Sequence, residues 1–543
     1  MLSRRDFLRQ AALAGVGAQI APYVATCSAA QSKRPNILFI FSDDHSIQTL
    51  GAYRSRLQNF IRTHNITPNL QQLAAEGATF TNSFVCNSIC GPSRAAILTG
   101  KHSKVNGFYT NGQRFDGGQW TLPKALRKAG YQTAVFGKWH LNSTPTGFDV
   151  AEILPGQGNY YNPDFINLQG KRNREQGYCT EIISDKTINW LENQRDKDKP
   201  FFLCSWHKAS HRTWMPEPKH MRLLDDVDVP EPDNLFDDYA GRSSAAKEQK
   251  MSIRNEINLA TDTKVTPPFA SSTREEIVAA APKSASRDTS TFDEFERMTA
   301  AQRQAWDDYY VPRNRAFRAQ GLSGDALVRW KYQAYLKDYI RCVKSLDDQI
   351  GRVLAYLKQS GLDQNTIVIY SSDQGFYLGE HGWYDKRWMF EESLKMPFVI
   401  RWPGRIKPGT RCKKLIQNID YAPTFLDVAG QPIPDDVQGK SLLPLFEDPK
   451  SSEWRKSVYY HYYEHGGEHQ VPRHEGVRDG RYKLINFYSN DGYNLFDLEE
   501  DPHEMNDVSS DPEYSETMKS MTAELARLRE VYDLPALKLP SSN

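Results

Sequence analysis

After the first thirty residues, no stretch of this sequence approaches the eighteen or so consecutive apolar residues that a bilayer span requires, so no membrane span is expected. Net charge is nearly absent too: 68 Lys and Arg stand against 67 Asp and Glu, leaving +1. Such a chain has no global field to hold nucleic acid or an anionic membrane, and an anionic substrate must be met by a local cluster of cations. Cysteine is scarce. The seven residues (27, 86, 90, 179, 204, 342 and 412) form no Cys-x-x-Cys pair and stand in no His-rich spacing, which argues against structural zinc. No internal repeat is visible. What is present, 39% hydrophobic and 25% charged residues over 543 positions, suits an ordinary globular protein with one large and one smaller domain.

The N-terminus reads differently from the rest. Ser3-Arg4-Arg5-Asp6-Phe7-Leu8 precedes a moderately apolar run from Ala11 to Val24 and small residues at Ser28-Ala29-Ala30, the pattern of a twin-arginine export signal over residues 1–30. The protein is therefore expected to be exported, periplasmic or extracellular. Cys27 follows Thr26 where a lipoprotein signal wants a smaller residue, which disfavours lipidation.

Short apolar runs without polar alternation occur at Ile37 to Phe41, Thr133 to Phe136, Phe201 to Trp206, Thr366 to Tyr370 and Pro397 to Arg401, as expected of strands buried on both faces. Between them Leu122 to Ala129, Ile182 to Asn193 and Tyr332 to Gly361 repeat apolar residues at three and four, so strand alternates with helix. The expected fold is α/β, a large mixed and mostly parallel sheet with helices on both faces. It should occupy residues 31–435, with a polar, cleft-lining insertion at about 215–320 in which only Phe292 to Tyr310 looks helical. Beyond residue 436 the aromatic, alternating runs at 458–463 and 482–488 predict a small antiparallel subdomain, closed by a helix from about Glu513 to Tyr532.

The informative residues follow the apolar runs. Phe41 leads into Ser42-Asp43-Asp44, Tyr370 into Ser371-Ser372-Asp373-Gln374-Gly375, Phe136 into Gly137-Lys138-Trp139-His140, and Trp206 into His207-Lys208-Ala209-Ser210-His211. Open α/β sheets bind ligands beyond the carboxyl ends of their strands, so these clusters are expected to converge on one pocket. Any one strand-end Asp commonly caps a helix or holds a turn. Two strands both ending in oxygen-bearing residues weaken that explanation. Asp43, Asp44, Asp373 and Gln374 offer only oxygen donors, which suit a hard cation such as calcium or magnesium rather than zinc. Lys138 and His140 stand two apart and would face one side of an extended segment. Cys90-Gly91-Pro92-Ser93-Arg94 opens a helix-like stretch, with Pro92 expected at its first position, so Cys90 would sit where free backbone N–H groups favour an anion.

Cys90-x-Pro92-Ser93-Arg94 followed by Ala95-x-x-Leu98-Thr99-Gly100 resembles the signature of the formylglycine-dependent sulfatases of the alkaline phosphatase superfamily. The resemblance runs from about Arg34 to Asp507 and takes in Asn36 to Asp44, the Lys138 cluster, the Asp373 cluster and Asp385-Lys386-Arg387. It departs where the family often has Asn instead of Gln374, which keeps a side-chain carbonyl, and where the usual Pro-His pair reads Ser210-His211. The resemblance implies an alkaline-phosphatase-like fold and a maturation enzyme that oxidises Cys90 to formylglycine. It also implies one calcium ion, ahead of magnesium, bound by Asp43, Asp44, Asp373 and Gln374 and contacting residue 90. Within that set Arg94 would stabilise the aldehyde hydrate, Lys138 and Lys386 would neutralise sulfate oxygens, His211 would protonate the leaving alcohol and His140 would act as the base. With the signal removed and Cys90 modified, five cysteines remain, so not all can pair within the chain; a disulfide through Cys86 is left open.

The runs 385–392 and 396–401 are similar to the N-acetylglucosamine-6-sulfatase branch and related polysaccharide sulfatases, so the implied partner is a sulfated carbohydrate. His465, His469, Arg473, His474 and Arg478 are candidates to read neighbouring sugars, although solvated loop residues explain any one of them as well. The rival readings are other polysaccharide or aryl sulfate esters, a phosphate-monoester or phosphonate hydrolase on the same scaffold, and a sugar-binding pseudo-sulfatase with an unmodified cysteine.

Overall fold

The computed structural model describes residues 34–279, 290–464, 467, 469–488 and 492–534. The export signal expected at 1–30, with Cys27, lies outside the described residues. Ten strands form the main sheet: β1 Asn36–Ser42, β2 Ala78–Phe80, β3 Gln132–Lys138, β4 Val150–Leu154, β5 Asp164–Asn167, β6 Arg172–Arg174, β7 Phe201–Trp206, β8 Thr366–Ser372, β9 Phe398–Arg401 and β10 Thr410–Cys412. Their spatial order is β10-β2-β9-β8-β1-β7-β3-β4-β5-β6. The middle five, β8-β1-β7-β3-β4, run parallel, whereas the β9 and β5–β6 pairings are antiparallel. Parallel neighbours place all their carboxyl ends on one edge, so the polar clusters that follow β1, β3, β7 and β8 are delivered together.

Every residue of β1 is buried, and its side chains divide between two cores. Leu38 and Ile40 enter one; Ile37, Phe39 and Phe41 enter the other. This is why the strand reads as an uninterrupted apolar run. The first core is covered by the helices Pro68–Ala75, Cys179–Asn189 and Gly324–Gln359. The last of these starts eight residues before the expected Tyr332 and buries a stripe of Val328, Tyr332, Tyr335, Tyr339, Val343, Leu346, Ile350 and Val353, the three-and-four spacing of a core-facing helix. The second core packs beneath Cys90–Thr99, Leu122–Lys128 and Tyr421–Val428.

The stretch 215–320, expected as a polar, cleft-lining insertion, also contributes to the core. Met215, Met221, Ile253, Ile257, Phe269, Ile277, Trp306 and Tyr310 are all buried in the first core. Helix Ala300–Gln320 starts at a capping box, in which Thr299 Oγ accepts from Gln302 N and Gln302 Oε1 accepts from Thr299 N at 2.8 Å, and it ends at Gly321 in the left-handed region.

The C-terminal strands β11 Val458–Tyr462, β12 His474–Arg478, β13 Tyr482–Phe487 and β14 Gly492–Asp497 form an antiparallel sheet in sequential order. One face, with Tyr459, Val477, Leu484 and Leu495, packs under helix Ser515–Val531 through Met521, Leu525 and Leu528. The other, with Tyr460, Tyr462, Ile485, Phe487 and Phe496, joins the second core of the main sheet. Alternation along these strands thus separates two apolar environments, and the described residues form one compact unit. The six described cysteines are all unpaired and buried, so the disulfide left open at Cys86 is not formed.

Candidate active site

Helix Cys90–Thr99 starts at Cys90 itself, two residues before the expected Pro92, because Ile89 is extended and has no capping side chain. The helix N-terminus therefore opens directly beside residue 90. All ten of its residues are buried, and Gly91 fits because a Cβ there would approach Phe108 to 2.7 Å. Burial pushes the Cys90 thiol up to about 12 against the pull of Lys138 and Lys386. As a thiol it is protonated at neutral pH.

Asp43 and Asp44 follow β1, and Asp373 and Gln374 follow the adjacent β8. All four are fully buried. Carboxylate oxygens of Asp43, Asp44 and Asp373 lie within 4.8 Å of one another, and Asp43 forms a second group of the same compactness with Cys90 Sγ and a His211 nitrogen. The backbone holds this crowd in place. Asp44 N donates to Asp373 Oδ1 at 3.0 Å, His45 N to Ser372 Oγ at 2.9 Å, and the Tyr339 hydroxyl to Asp44 O at 2.7 Å.

Cations enclose the acids. Lys138 Nζ donates to Asp43 Oδ2, and Lys386 Nζ reaches both oxygens of Asp44 at 2.8 and 2.7 Å. Arg94 binds Asp373 Oδ2 at 3.1 Å, lies 3.7 Å from Asp43 Oδ1, and is fixed by the Lys138 carbonyl at 2.6 Å and by the faces of Phe41 and Trp206. Electrostatics then splits the three acids. Burial would raise Asp43, but Lys138, His211 and Arg94 hold it well below the usual carboxylate range. Asp44 is raised by burial despite Lys386, and Asp373 is raised well above its usual range by burial and the charge of Asp43. Three carboxylates at this separation cannot all ionise without more positive charge.

A divalent cation would supply it. Asp43 Oδ1 and Gln374 Oε1 are buried without hydrogen-bond partners, while Gln374 Nε2 donates to Asp44 Oδ1 and approaches Cys90 Sγ at 3.9 Å. The donor set fits a hard, oxygen-seeking ion.

The two histidines occupy different depths. His140 is 8% exposed and His211 has 13% of its side chain exposed, with Nε2 3.7 Å from Asp44 Oδ2 and Nδ1 2.6 Å from Arg212 O. Burial, then Lys138, holds both imidazoles well below their usual range. Asp44, His140, Asp385 and Arg387 all have positive φ (59°, 54°, 79° and 86°), conformations that cost free energy in non-glycine residues and concentrate at working sites. Gly137 precedes Lys138 at φ 105°, where a Cβ would stand 1.9 Å from Trp206 O.

Every predicted residue, Cys90, Arg94, Lys138, His140, His211, Lys386, Asp43, Asp44, Asp373 and Gln374, is thus brought to one chamber. Sequence reasoning passed over Asp385 and Arg387, which flank Lys386. Asp385 Oδ1 accepts from Lys386 N at 2.8 Å and from Arg387, and Oδ2 stands 3.3 Å from His469 Nε2. Their adjacency to Lys386 was the available signal. Of the described sugar-reading candidates only His469 pairs with Asp385. His474 is buried and stacks on Tyr460, Arg478 pairs with Glu391 beneath the sheet, and Arg473 Nε donates to Tyr463 O at 2.8 Å; these three serve the C-terminal sheet. His465 lies outside the described residues.

The chain matches the family profile "Sulfatase" over residues 35–431 and the profile "N-sulphoglucosamine sulphohydrolase, C-terminal" over 379–531. It is 45% identical over 520 residues to an N-acetylglucosamine-6-O-sulfatase of Bacteroides thetaiotaomicron, covering 94% of this chain and 89% of that protein. A solved structure in complex with its substrate D-glucosamine-2-N,6-O-disulfate is 45% identical and superposes with a TM-score of 0.85, covering 92% of this chain and 98% of that one. A phosphonate monoester hydrolase of Agrobacterium radiobacter shares the fold at a TM-score of 0.62 and 19% identity, over 92% of this chain and 96% of that one.

Proposed function

This chain belongs to the sulfatase family and is a sulfuric ester hydrolase; from that premise we propose that it removes the 6-O-sulfate of glucosamine units in a sulfated carbohydrate, using formylglycine at position 90 and one bound calcium ion. The observation that carries this reading is the convergence of Asp43, Asp44 and Asp373 on a helix N-terminus bearing Cys90, inside a ring of Arg94, Lys138 and Lys386. The named relatives supply the 6-O-sulfated glucosamine.

Asp43, Asp44, Asp373 and Gln374 would hold the cation. When present, the cation and the hydrated aldehyde supply a Lewis acid and a pair of hydroxyls on one carbon, one to attack sulfur and one to expel it again. The chain's own groups do the rest. Lys138 and Lys386 place ammonium groups against the sulfate oxygens, and Arg94 fixes residue 90 from the protein side, where stacked aromatics exclude water. His211, at the more open position, would protonate the departing alcohol oxygen from Nε2 as an imidazolium, the form that the sulfate charge beside it favours and that must be loaded with a proton before each turnover. Its Nδ1 is engaged by the Arg212 carbonyl, which leaves Nε2 to face the reaction. His140, deeper and beside Lys138, takes the proton from the residue-90 hydroxyl. Asp385 and Arg387, with His469, form a polar corner suited to sugar hydroxyls.

The test joins two measurements. Peptide mass spectrometry on protein from its native host should find formylglycine at position 90, and unmodified cysteine throughout overturns the mechanism. Matched 6-sulfate and 6-phosphate esters of N-acetylglucosamine should show preferential sulfate release; a large phosphate preference overturns the substrate reading. The twin-arginine route carries folded proteins, so Cys90 is oxidised in the cytoplasm and the product is periplasmic or extracellular. Protein trapped inside the cell with only unmodified Cys90 would contradict that order.

A further inference from the structure

Lys208 has no role in the chemistry above, yet it is buried to 2% exposure on the segment that leads from β7 to His211. Among the described residues its ammonium makes no ion pair. Its contacts are one long hydrogen bond, to Gln157 O at 3.3 Å, and the face of Tyr160, 4.8 Å from the ring centroid. Burial pulls the ammonium below its usual range, and Lys138 adds to that. A buried charge without a carboxylate partner is costly and is ordinarily paired or lost. Close beside it is a second unsatisfied group: the side-chain oxygen of Gln157, the residue whose carbonyl receives the ammonium, is buried without a partner.

The two groups belong to the wall of the active chamber. The Tyr160 hydroxyl donates to His211 O at 2.7 Å, the charge of Lys208 is felt at His211, and Lys208 itself feels the charge of Lys138. On the far side, Glu294 from the segment 215–320 accepts from Tyr160 N and, at 2.8 Å, from Tyr161 N, so the wall is anchored from behind. A fourth cation beside a chamber that already holds Arg94, Lys138 and Lys386 adds nothing the scissile sulfate requires. It does suit a second anion brought by the substrate.

Building on the glucosamine reading, we propose that Lys208 and Gln157 recognise an N-sulfate on the sugar whose 6-O-sulfate is removed. A sulfamate offers one N–H donor next to three anionic oxygens, complementary to an unpartnered amide oxygen beside an ammonium that forms no ion pair among the described residues. An acetamido group offers the same N–H with a neutral oxygen. Gln157 therefore serves both substrates, and Lys208 distinguishes them.

The experiment compares kcat/KM on glucosamine-2-N,6-O-disulfate and on N-acetylglucosamine-6-sulfate for the wild type, Lys208→Met and Gln157→Leu. Lys208→Met should lose roughly 10- to 100-fold on the disulfate, the scale of one charged hydrogen bond, and less than about 3-fold on the acetylated sugar. Gln157→Leu should weaken both substrates to a similar degree. The melting temperature of Lys208→Met should equal or exceed that of the wild type, since an unpaired buried charge is removed. Equal losses on both substrates, or none, overturn the proposal, as does a Lys208→Met protein that fails to fold, because the ammonium would then be structural. Wild-type protein inactive on both sugars would instead overturn the underlying 6-O-sulfatase reading. Binding of the disulfate to Cys90→Ala, with and without Lys208→Met, reads the contact independently of turnover; equal affinities overturn it.

Discussion

Two of the buried clusters of charge among the described residues, one at the strand ends and one at the junction with the C-terminal sheet, are built on opposite plans. At the strand ends, Asp43, Asp44 and Asp373 crowd within 4.8 Å of one another beneath Arg94, Lys138 and Lys386. At the junction with the C-terminal sheet, Glu391 meets Lys395 at 2.7 Å, Lys483 at 3.0 Å and Arg478 at 3.5 Å, while Lys483 also pairs with Glu504 at 2.7 Å. Unpartnered oxygens occur in both, at Asp43 and Gln374 in the first and at Glu392 in the second, so an orphaned atom alone does not mark a site. The difference is arrangement. The junction spreads Glu391 and Glu504 among Lys395, Lys483 and Arg478, whereas the chamber concentrates acids on one spot beside the helix terminus that carries Cys90 and adds two histidines. One cluster joins two parts of the fold; the other gathers its acids where a cation could be held.

The sharpest test of that contrast is to damage each cluster and ask what fails. Cys90→Ala should retain the fold and lose sulfate release by about 10⁴-fold or more, the usual consequence of deleting a nucleophile. Lys386→Met should lower kcat/KM by roughly 10²- to 10³-fold, the scale of one group stabilising transition-state charge, again without unfolding. Lys483→Met at the junction should do the reverse. Leaving Glu391 and Glu504 without that partner should destabilise by about 3–5 kcal/mol, read by thermal melting, while turnover per folded molecule stays within a few-fold. A smaller effect separates the clusters by ion binding. Calcium at about 100 times its Kd should stabilise the wild type by about 2.7 kcal/mol, chelation should reverse this, and Asp43→Asn should abolish the calcium-dependent rise in melting temperature. A junction variant that responded to calcium no differently from Asp43→Asn would erase the distinction.

The chamber was largely legible in the sequence and the junction was not, for physical reasons. Parallel strands buried on both faces announce themselves as continuous apolar runs, and their carboxyl ends must share an edge, so the sequence alone gathers Asp43, Lys138, His211 and Asp373. The segment 215–320 hid its core role because Met221, Ile257, Phe269 and Ile277 are spaced irregularly and follow neither helix nor strand period. Likewise the start of the Cys90 helix was misread because proline tolerates several first-turn positions, and the structure uses the third. Burial of Lys208, and the positive φ that aims Asp385 and Arg387, depend on neighbours from distant segments and leave no local trace. Glu391 and Lys483 read as ordinary charged surface residues until topology brings them together.

The gentlest test bears on the junction alone. Burial raises Glu504 from the usual 4.5 to about 7, with Lys483 opposing and Glu391 adding to the shift. Glu392, raised well above its usual range, and Lys395 and Arg478 are also packed there. Between about pH 4.5 and 7 the folded protein holds a proton on Glu504 that the unfolded chain has released. The folded state therefore binds more protons, and stability falls as pH rises through this window and levels off above it. Glu504→Gln keeps an acceptor for the Glu391 N–H and cannot titrate. Its melting temperature should follow a flatter course from pH 4.5 to 7, so that the difference from wild type shifts in the variant's favour as pH rises and then becomes constant. Parallel curves would show that the ionisation of Glu504 does not contribute. Activity per folded molecule should keep the wild-type pH profile, because the reacting groups lie in the other cluster; a displaced profile would show that the junction also sets the chemistry, through the chain that joins Glu391 to Lys386.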